Sequence, residues 1–263
     1  MIMKSFLKNI FPVLAVIVLA SCEKKIDYDL DSADPKIVIE GIVNDAGGPA
    51  VVKLTTSTPF DASNEYPAVT GASVVIVETI GDVVNEFVLN ETTPGIYESV
   101  VAVGTPGASY HLKVTSAGEV YEATSVMPYR VEIADYYVEE FFGDNQFVNV
   151  GFADPAEYDN FYKFKLITND TLSESIFIQD DVFTNGFYNT ALLGGQFEAV
   201  LPGEQVWVEM QTIDENVYNY WYSLSLNIND ATAAPANPVT NLSNEALGYF
   251  SAQTSDIIEF QVP

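Results

Sequence analysis

Between residues 37 and 125 the chain is cut into short runs rich in Val, Ile, Thr and Tyr, each ended by Gly, Pro, Asn or Asp. No long helix fits between breakers so closely spaced, whereas strands of five to eight residues do. Residues 37–43 are β-branched and apolar, 44–49 form a turn cluster, and 51–55 follow. A polar loop with Pro59 and Pro67 leads to 73–79, which reads as a central strand. Gly81-Asp82 turns the chain back through 83–89, Pro94-Gly95 opens 96–100, and Thr105-Pro106-Gly107 opens 109–115. Ala117-Gly118 makes the last hairpin, into 119–125. About seven short strands at this spacing predict an antiparallel β-sandwich over residues 36–128. A domain boundary is expected at Met127-Pro128.

The second part, residues 129–263, is also β-rich but more aromatic. In 147–152 the alternation puts Val148, Val150 and Phe152 on one face; in 161–168 it sets Tyr162, Phe164 and Leu166 against Lys163 and Lys165. Asp154-Pro155 between them reads as a turn. Residues 176–180, 197–200, 205–213 and 257–262 are further strands. One helix is expected near 214–229, because Val217, Trp221, Leu224 and Ile228 recur at helical spacing. Asp214 is placed to cap it, and Glu215 suits the positive end of its dipole. Pro235 and Pro238 follow, then a loop ending at residues 246–250. The fold class is mainly β, as two β-rich domains.

The N-terminus speaks of location. Lys4 and Lys8 precede an apolar stretch, 10–20, of signal-peptide length and too short to span a membrane. Leu19-Ala20-Ser21-Cys22 closes it and resembles the bacterial lipobox, in which the Cys thiol takes up a diacylglycerol. Residues 1–21 are therefore expected to be a signal peptide, Cys22 to be lipidated, with palmitate among the acyl chains, and 22–35 to be an acidic tether. Cys22 is the one cysteine, so no disulfide staples the exported domains and burial alone must hold them. Glu23 follows it, not the Asp associated with inner-membrane retention, which favours the outer membrane, facing either outside or the periplasm. A net charge of -27 repels nucleic acid and anionic lipid surfaces. With 48% hydrophobic and 13% aromatic residues the chain still has ample material for a core.

Catalytic chemistry finds little to use. His111 is the only histidine, and strand alternation turns it outward beside Lys113 and Thr115 while Tyr110, Leu112 and Val114 face the core. No Gly-x-Ser-x-Gly elbow accompanies it. With 37 acidic residues, paired carboxylates arise by chance and carry no signal for glycoside hydrolysis. The pairs Asp180-Asp181 and Asn169-Asp170 and the run Asp214-Glu215-Asn216 lack calcium-loop spacing and read as turn and cap residues. The expectation is no enzyme, no metal and no cofactor. Aromatic side chains are the remaining candidates for contact with a ligand or partner: Tyr220, Trp221 and Tyr249 around the helix, and Phe187 and Tyr188 on a projecting Asn185-Gly186 loop. Trp221 lies on the helix's apolar stripe and is by default core; Tyr220 falls on the other side. Tyr136 and Tyr137 alternate across a strand, so one of them is expected to face outward.

Several segments in one order resemble a known family. They are Cys22-Glu23-Lys24 with the acidic leader, residues 35–41 and 68–74, Phe152-Ala153-Asp154-Pro155, the helix start from Ile213-Asp214 to Tyr220-Trp221, and residues 244–250. Together they are similar to the Bacteroidetes lipoproteins grouped under a domain of unknown function, DUF4249. The resemblance covers essentially the whole mature chain. It implies an N-terminal immunoglobulin-like or carboxypeptidase-regulatory-like sandwich, a second β-rich domain, and association with TonB-dependent outer-membrane receptors; it implies no catalytic residues. The expected function is a lipid-anchored outer-membrane accessory or binding protein working with such a receptor in uptake of a ligand, and the alternative is a stand-alone surface adhesin or glycan-binding lipoprotein.

Overall fold

The structure is a computed structural model that describes residues 34–263 apart from 60–64, 143–144, 195–198 and 230–235. Cys22, the signal segment and nearly all of the tether lie outside the described residues, as do residues 197–198 of one expected strand and the Ile228 side chain. The seven runs of the first part become β1 (Ile37–Asn44), β2 (Pro49–Thr56), β3 (Ser73–Ile80), β4 (Val83–Thr93), β5 (Ile96–Ala102), β6 (Ser109–Ser116) and β7 (Glu119–Val126). Then follow β8 (Ile133–Phe142), β9 (Asn145–Ala153), β10 (Phe161–Thr168), β11 (Thr171–Leu172), β12 (Phe177–Asp180), β13 (Tyr188–Leu193), β14 (Gln205–Ile213), α1 (Glu215–Asn229) and β15 (Leu247–Gln261).

Hydrogen bonding runs through one path, β11-β10-β14-β15-β1-β2-β5-β4-β3-β6-β7, with β12 also on β10 and a separate sheet β13-β9-β8. The path turns over at β4, which pairs with β3 along Val83–Leu89 and with β5 from Leu89 on, past a bulge between Glu91 and Thr93. Strands β15, β1, β2 and β5 thereby face β3, β6 and β7. Ile39, Val52 and Leu54 meet Ile76, Leu112 and Val114 in that core, all fully buried. The outward placement of His111 holds, with Nε2 3.9 Å from Glu122.

A second core lies between β10-β14-β15 and the three-stranded sheet. Val148, Val150 and Phe152 of β9 pack there on Tyr162, Phe164 and Leu166 of β10, as the alternation requires. Tyr136 and Tyr137 differ from expectation, because both are about half exposed. They lie on β8, an edge strand bulged between Ile133 and Asp135, where Tyr136 only stacks on Phe260 at 4.0 Å.

The strand β15 belongs to both sandwiches. Its first half runs parallel to β1, from Val38↔Leu247 to Asn44↔Gln253, and its second half antiparallel to β14. One parallel pair thus stands in a sandwich expected to be antiparallel. The strand is also longer than the expected 257–262, and it takes in residues 247–250, which read as the end of a loop. The physical reason is burial on both faces, which removes alternation. Leu242, Ala246, Phe250 and Ala252 lie in the first core although they fall beyond the Met127-Pro128 boundary. Gly41 of β1 makes room for them: a Cβ there would stand 2.8 Å from the Phe250 ring. Burying that ring stabilises the fold by about 2–3 kcal/mol.

Helix α1 begins where the sequence places it. Asp214 Oδ1 accepts the Val217 amide at 2.9 Å, and Val217 is fully buried. The helix lies on the outer side of the β10-β14-β15-β1 region, over Ile213, Phe161 and Ile42.

Candidate functional site

Five segments from both sandwiches enclose an open cleft of about 890 Å³. They are the β5–β6 loop at Gly107, the β7–β8 connection at Val126–Tyr129, the β9–β10 loop, the β12–β13 loop, and the start of α1. Tyr129, Tyr158 and Phe161 supply its rings, and Asp159, Asp181, Asp214 and Glu215 its charges.

Buried polar groups set these loops. Asp154 accepts the Tyr162 hydroxyl and, at 2.8 Å, the Gly186 amide, so the turn after β9 is tied to the loop before β13. The Asn160 side chain donates to the carbonyls of Pro155 (3.2 Å) and Tyr158 (3.0 Å), closing the β9–β10 loop on itself. The Asn160 amide donates to Asp181 Oδ2 at 2.8 Å, and the Thr184 amide to the Asp181 carbonyl at 2.7 Å. Tyr218 of α1 donates to Asp180 at 2.9 Å, fixing the helix to the same loop. The loops are therefore pre-formed, as ligand sites usually are.

Charge in the cleft is of two kinds. Asp181 is almost fully buried; burial pushes its carboxyl above the usual range, the nearby Asp154 and Asp159 add to this, and the Asn160 amide opposes it. Asp214 is raised by burial too, against hydrogen bonds from Ser125, Val217 and Val126. The side chains of Asp159 and Glu215 are exposed and make no hydrogen bond or ion pair among the described residues. Tyr129 and Tyr158 are each about half exposed, their ring centres 5.6 Å apart and tilted, and together form a wall. No group of three or more His, Cys, Asp or Glu side chains able to hold a metal occurs among the described residues.

The expected contact residues fall in two places. Tyr220, Trp221 and Tyr249 come together in one ring cluster, with centres 4.8–5.4 Å apart. Tyr249 is buried, a correction to the contact role read for it, while Tyr220 and Trp221 are half-buried and pack α1 on the sheet with part of their surface still exposed. The reason lies in β15: read as loop, Tyr249 looked free, but as strand it faces the helix. Phe187 and Tyr188 are 67% and 54% exposed beside the cleft, yet the most exposed ring of that loop is Phe183, at 94%. Tyr188 already belongs to β13, a strand not anticipated. Tyr129, Tyr158 and Asn160 were not singled out; the acidic turn of residues 157–160 was the one signal in the sequence, and it reads like any other loop.

Fold and cleft together define a double β-sandwich protein whose halves share a strand. The chain matches the model of the family described as Domain of unknown function (DUF4249) over residues 23–258, and it belongs to that family. No curated protein matches it. Among solved structures it is similar to a two fibronectin type-III domain segment from chicken tenascin, at 9% identity and a TM-score of 0.22, over 86% of this chain and 100% of that one.

Proposed function

We propose that this chain is a non-catalytic binding protein, anchored to the outer membrane through Cys22, that works beside a TonB-dependent receptor. The observation that carries the binding role is the pre-formed cleft, in which buried Asp181 and part-buried Asp214 are used up in holding loops and the helix. Groups so engaged orient a scaffold and are poorly placed to move protons on a substrate. The anchor and the receptor rest on the Leu19-Ala20-Ser21-Cys22 motif and on the family resemblance. Crosslinking in native membranes followed by purification tests the partnership: a TonB-dependent receptor is expected among the products, and its repeated absence overturns that part. Cys22→Ala is expected to abolish acyl labelling and release the protein from the membrane fraction.

A second reading, a stand-alone adhesin or glycan-binding lipoprotein, draws on the exposed Phe183, Phe187 and Tyr188. Glycan-array binding lost in Phe183→Ala or Phe187→Ala, with the fold intact, is the result that favours it. Trp221→Ala does not serve here, because Trp221 packs the helix.

A further inference from the structure

The walls of the cleft are selective in charge. Four carboxylates line it and neither Lys nor Arg does. Two of them, Asp181 and Asp214, are committed to the Asn160 amide and to Ser125, Val126 and Val217. The other two, Asp159 and Glu215, stand exposed on opposite components of the site, one on the β9–β10 loop and one on the first turn of α1. An anion entering meets four carboxylates, opposed by the positive end of α1, which Asp214 and Glu215 already offset. On balance a cation is favoured, at short range by the two exposed carboxylates and at long range by the net charge of -27. Beside Asp159 the Tyr129–Tyr158 wall offers π faces, which attract cations and cover the apolar stem that carries them.

We propose that the cleft binds an ammonium or guanidinium group carried on a peptide side chain, with Asp159 and Glu215 as counter-charges and the Tyr129–Tyr158 wall against its stem. This rests on the binding-protein reading, but not on the receptor. A guanidinium suits the site better than an ammonium, because it is less strongly hydrated and stacks on aromatic faces.

The test is calorimetric titration of the full-length protein, purified from membranes in neutral detergent. The probe is an acetylated Gly-Arg-Gly amide, with the Gln and Glu counterparts and maltotriose as comparisons. The Arg peptide is expected to bind, the Glu peptide not to bind, and affinity to fall several-fold between about 20 mM and about 300 mM salt, as the screening length shrinks. Asp159→Asn with Glu215→Gln is expected to weaken binding at least about fivefold, within the range of one or two charge-assisted contacts. Glu86→Gln with Glu140→Gln, the same change of charge away from the cleft, leaves it intact. Tyr158→Leu weakens binding and Tyr158→Phe preserves it, which separates a π contact from a merely structural role. Equal affinity for the Arg and Gln peptides, binding of maltotriose alone, or equal loss in both double variants would overturn the proposal. A failed receptor purification leaves these outcomes untouched, and a failed titration leaves the receptor partnership standing.

Discussion

Lys163 sits beneath α1 with its Nζ 4.2 Å from the centre of the Trp221 ring and 3.3 Å from Gln211 Oε1. Burial lowers its pKa to about 8, the nearby Lys165 charge adds to this, and Glu209 opposes it. The folded value lies below the ordinary 10.5, so the folded state gives up the proton first and this group makes stability rise with pH between about 8 and 10.5. Lys163→Met is expected to remove that rise and, at pH 7, to leave stability unchanged or raise it by up to about 2 kcal/mol. Urea unfolding of both proteins at the two ends of the window decides; a loss above about 1 kcal/mol at pH 7 would mean that the ring contact outweighs desolvation. Asp214 tests a different balance. It caps α1 and also accepts from Ser125 and the Val126 amide of the preceding sandwich. Asp214→Ala removes a cap and strands two donors, an expected cost of roughly 2–4 kcal/mol, while Asp214→Asn keeps an acceptor and costs less. Because its folded pKa is raised, its own contribution weakens as pH rises past the ordinary carboxylate range. A thermal melt in which the Asn variant falls as far as the Ala variant counts against the cap. The capping role of Asp214 was legible from its place before the helix stripe. The burial of Lys163 was not, since alternation puts it on the far side of β10 without saying that a helix covers that side.

At the scale of elements, β15 is the strand on which the fold turns. Gly248 enters it with φ at 95°, and a Cβ there would run into the Ile39 carbonyl of β1. Gly248→Ala is expected to cost at least about 2 kcal/mol through backbone strain and lost pairing, whereas Gly48→Ala, where a Cβ meets nothing within 4 Å, stays near neutral. Urea midpoints for the two variants check this, and equal midpoints would show that the β1–β15 register gives way cheaply. Some polar groups of β15 are held by partners far away in sequence, although Ser251 Oγ donates to the nearby Gln253 at 3.0 Å. Ser125 Oγ accepts the Ala252 amide at 2.8 Å, and Ser255 Oγ donates to Glu209 at 2.8 Å. Glu209 also pairs with Lys165 at 2.9 Å, and these contacts hold its carboxyl below its usual range although burial works the other way. Without those partners in view, residues 251–255 show no alternation that marks a strand. Strands β3 and β6 had clear alternation because one face of each meets a core and the other is wetter, while in β10 the lysines mark a face that α1 then covers in part.

The whole molecule has two cores and one shared strand. Asp45 strengthens the join: it accepts Arg130 Nε and NH2 at 2.9 and 2.7 Å through one oxygen and the Ser255 amide at 3.0 Å through the other. Residues 36–128 alone lack Phe250, Ala252 and one of the two pairing partners of β1, so they are expected to remain molten or insoluble and to gain a cooperative melt only when residues 240–256 are supplied. Unfolding of the full chain is expected to be a single transition, the same by far-ultraviolet circular dichroism and by fluorescence of Trp207 and Trp221. A well-folded 36–128 fragment, or two separated transitions, would show that the sandwiches are independent.

By itself the sequence determined most strand positions of the first sandwich, the helix with its cap and the outward face of His111, because these depend on neighbours two to four residues apart, and it determined the family through segments that keep one order along the chain. The cleft, the double role of β15 and the packing role of Tyr249 were decided only by tertiary structure. Each joins groups far apart along the chain, as Asn160 with Asp181 and Ser125 with Asp214 do. No local pattern records which distant carboxylate will accept a given amide. That choice is made when the two sandwiches close around their shared strand.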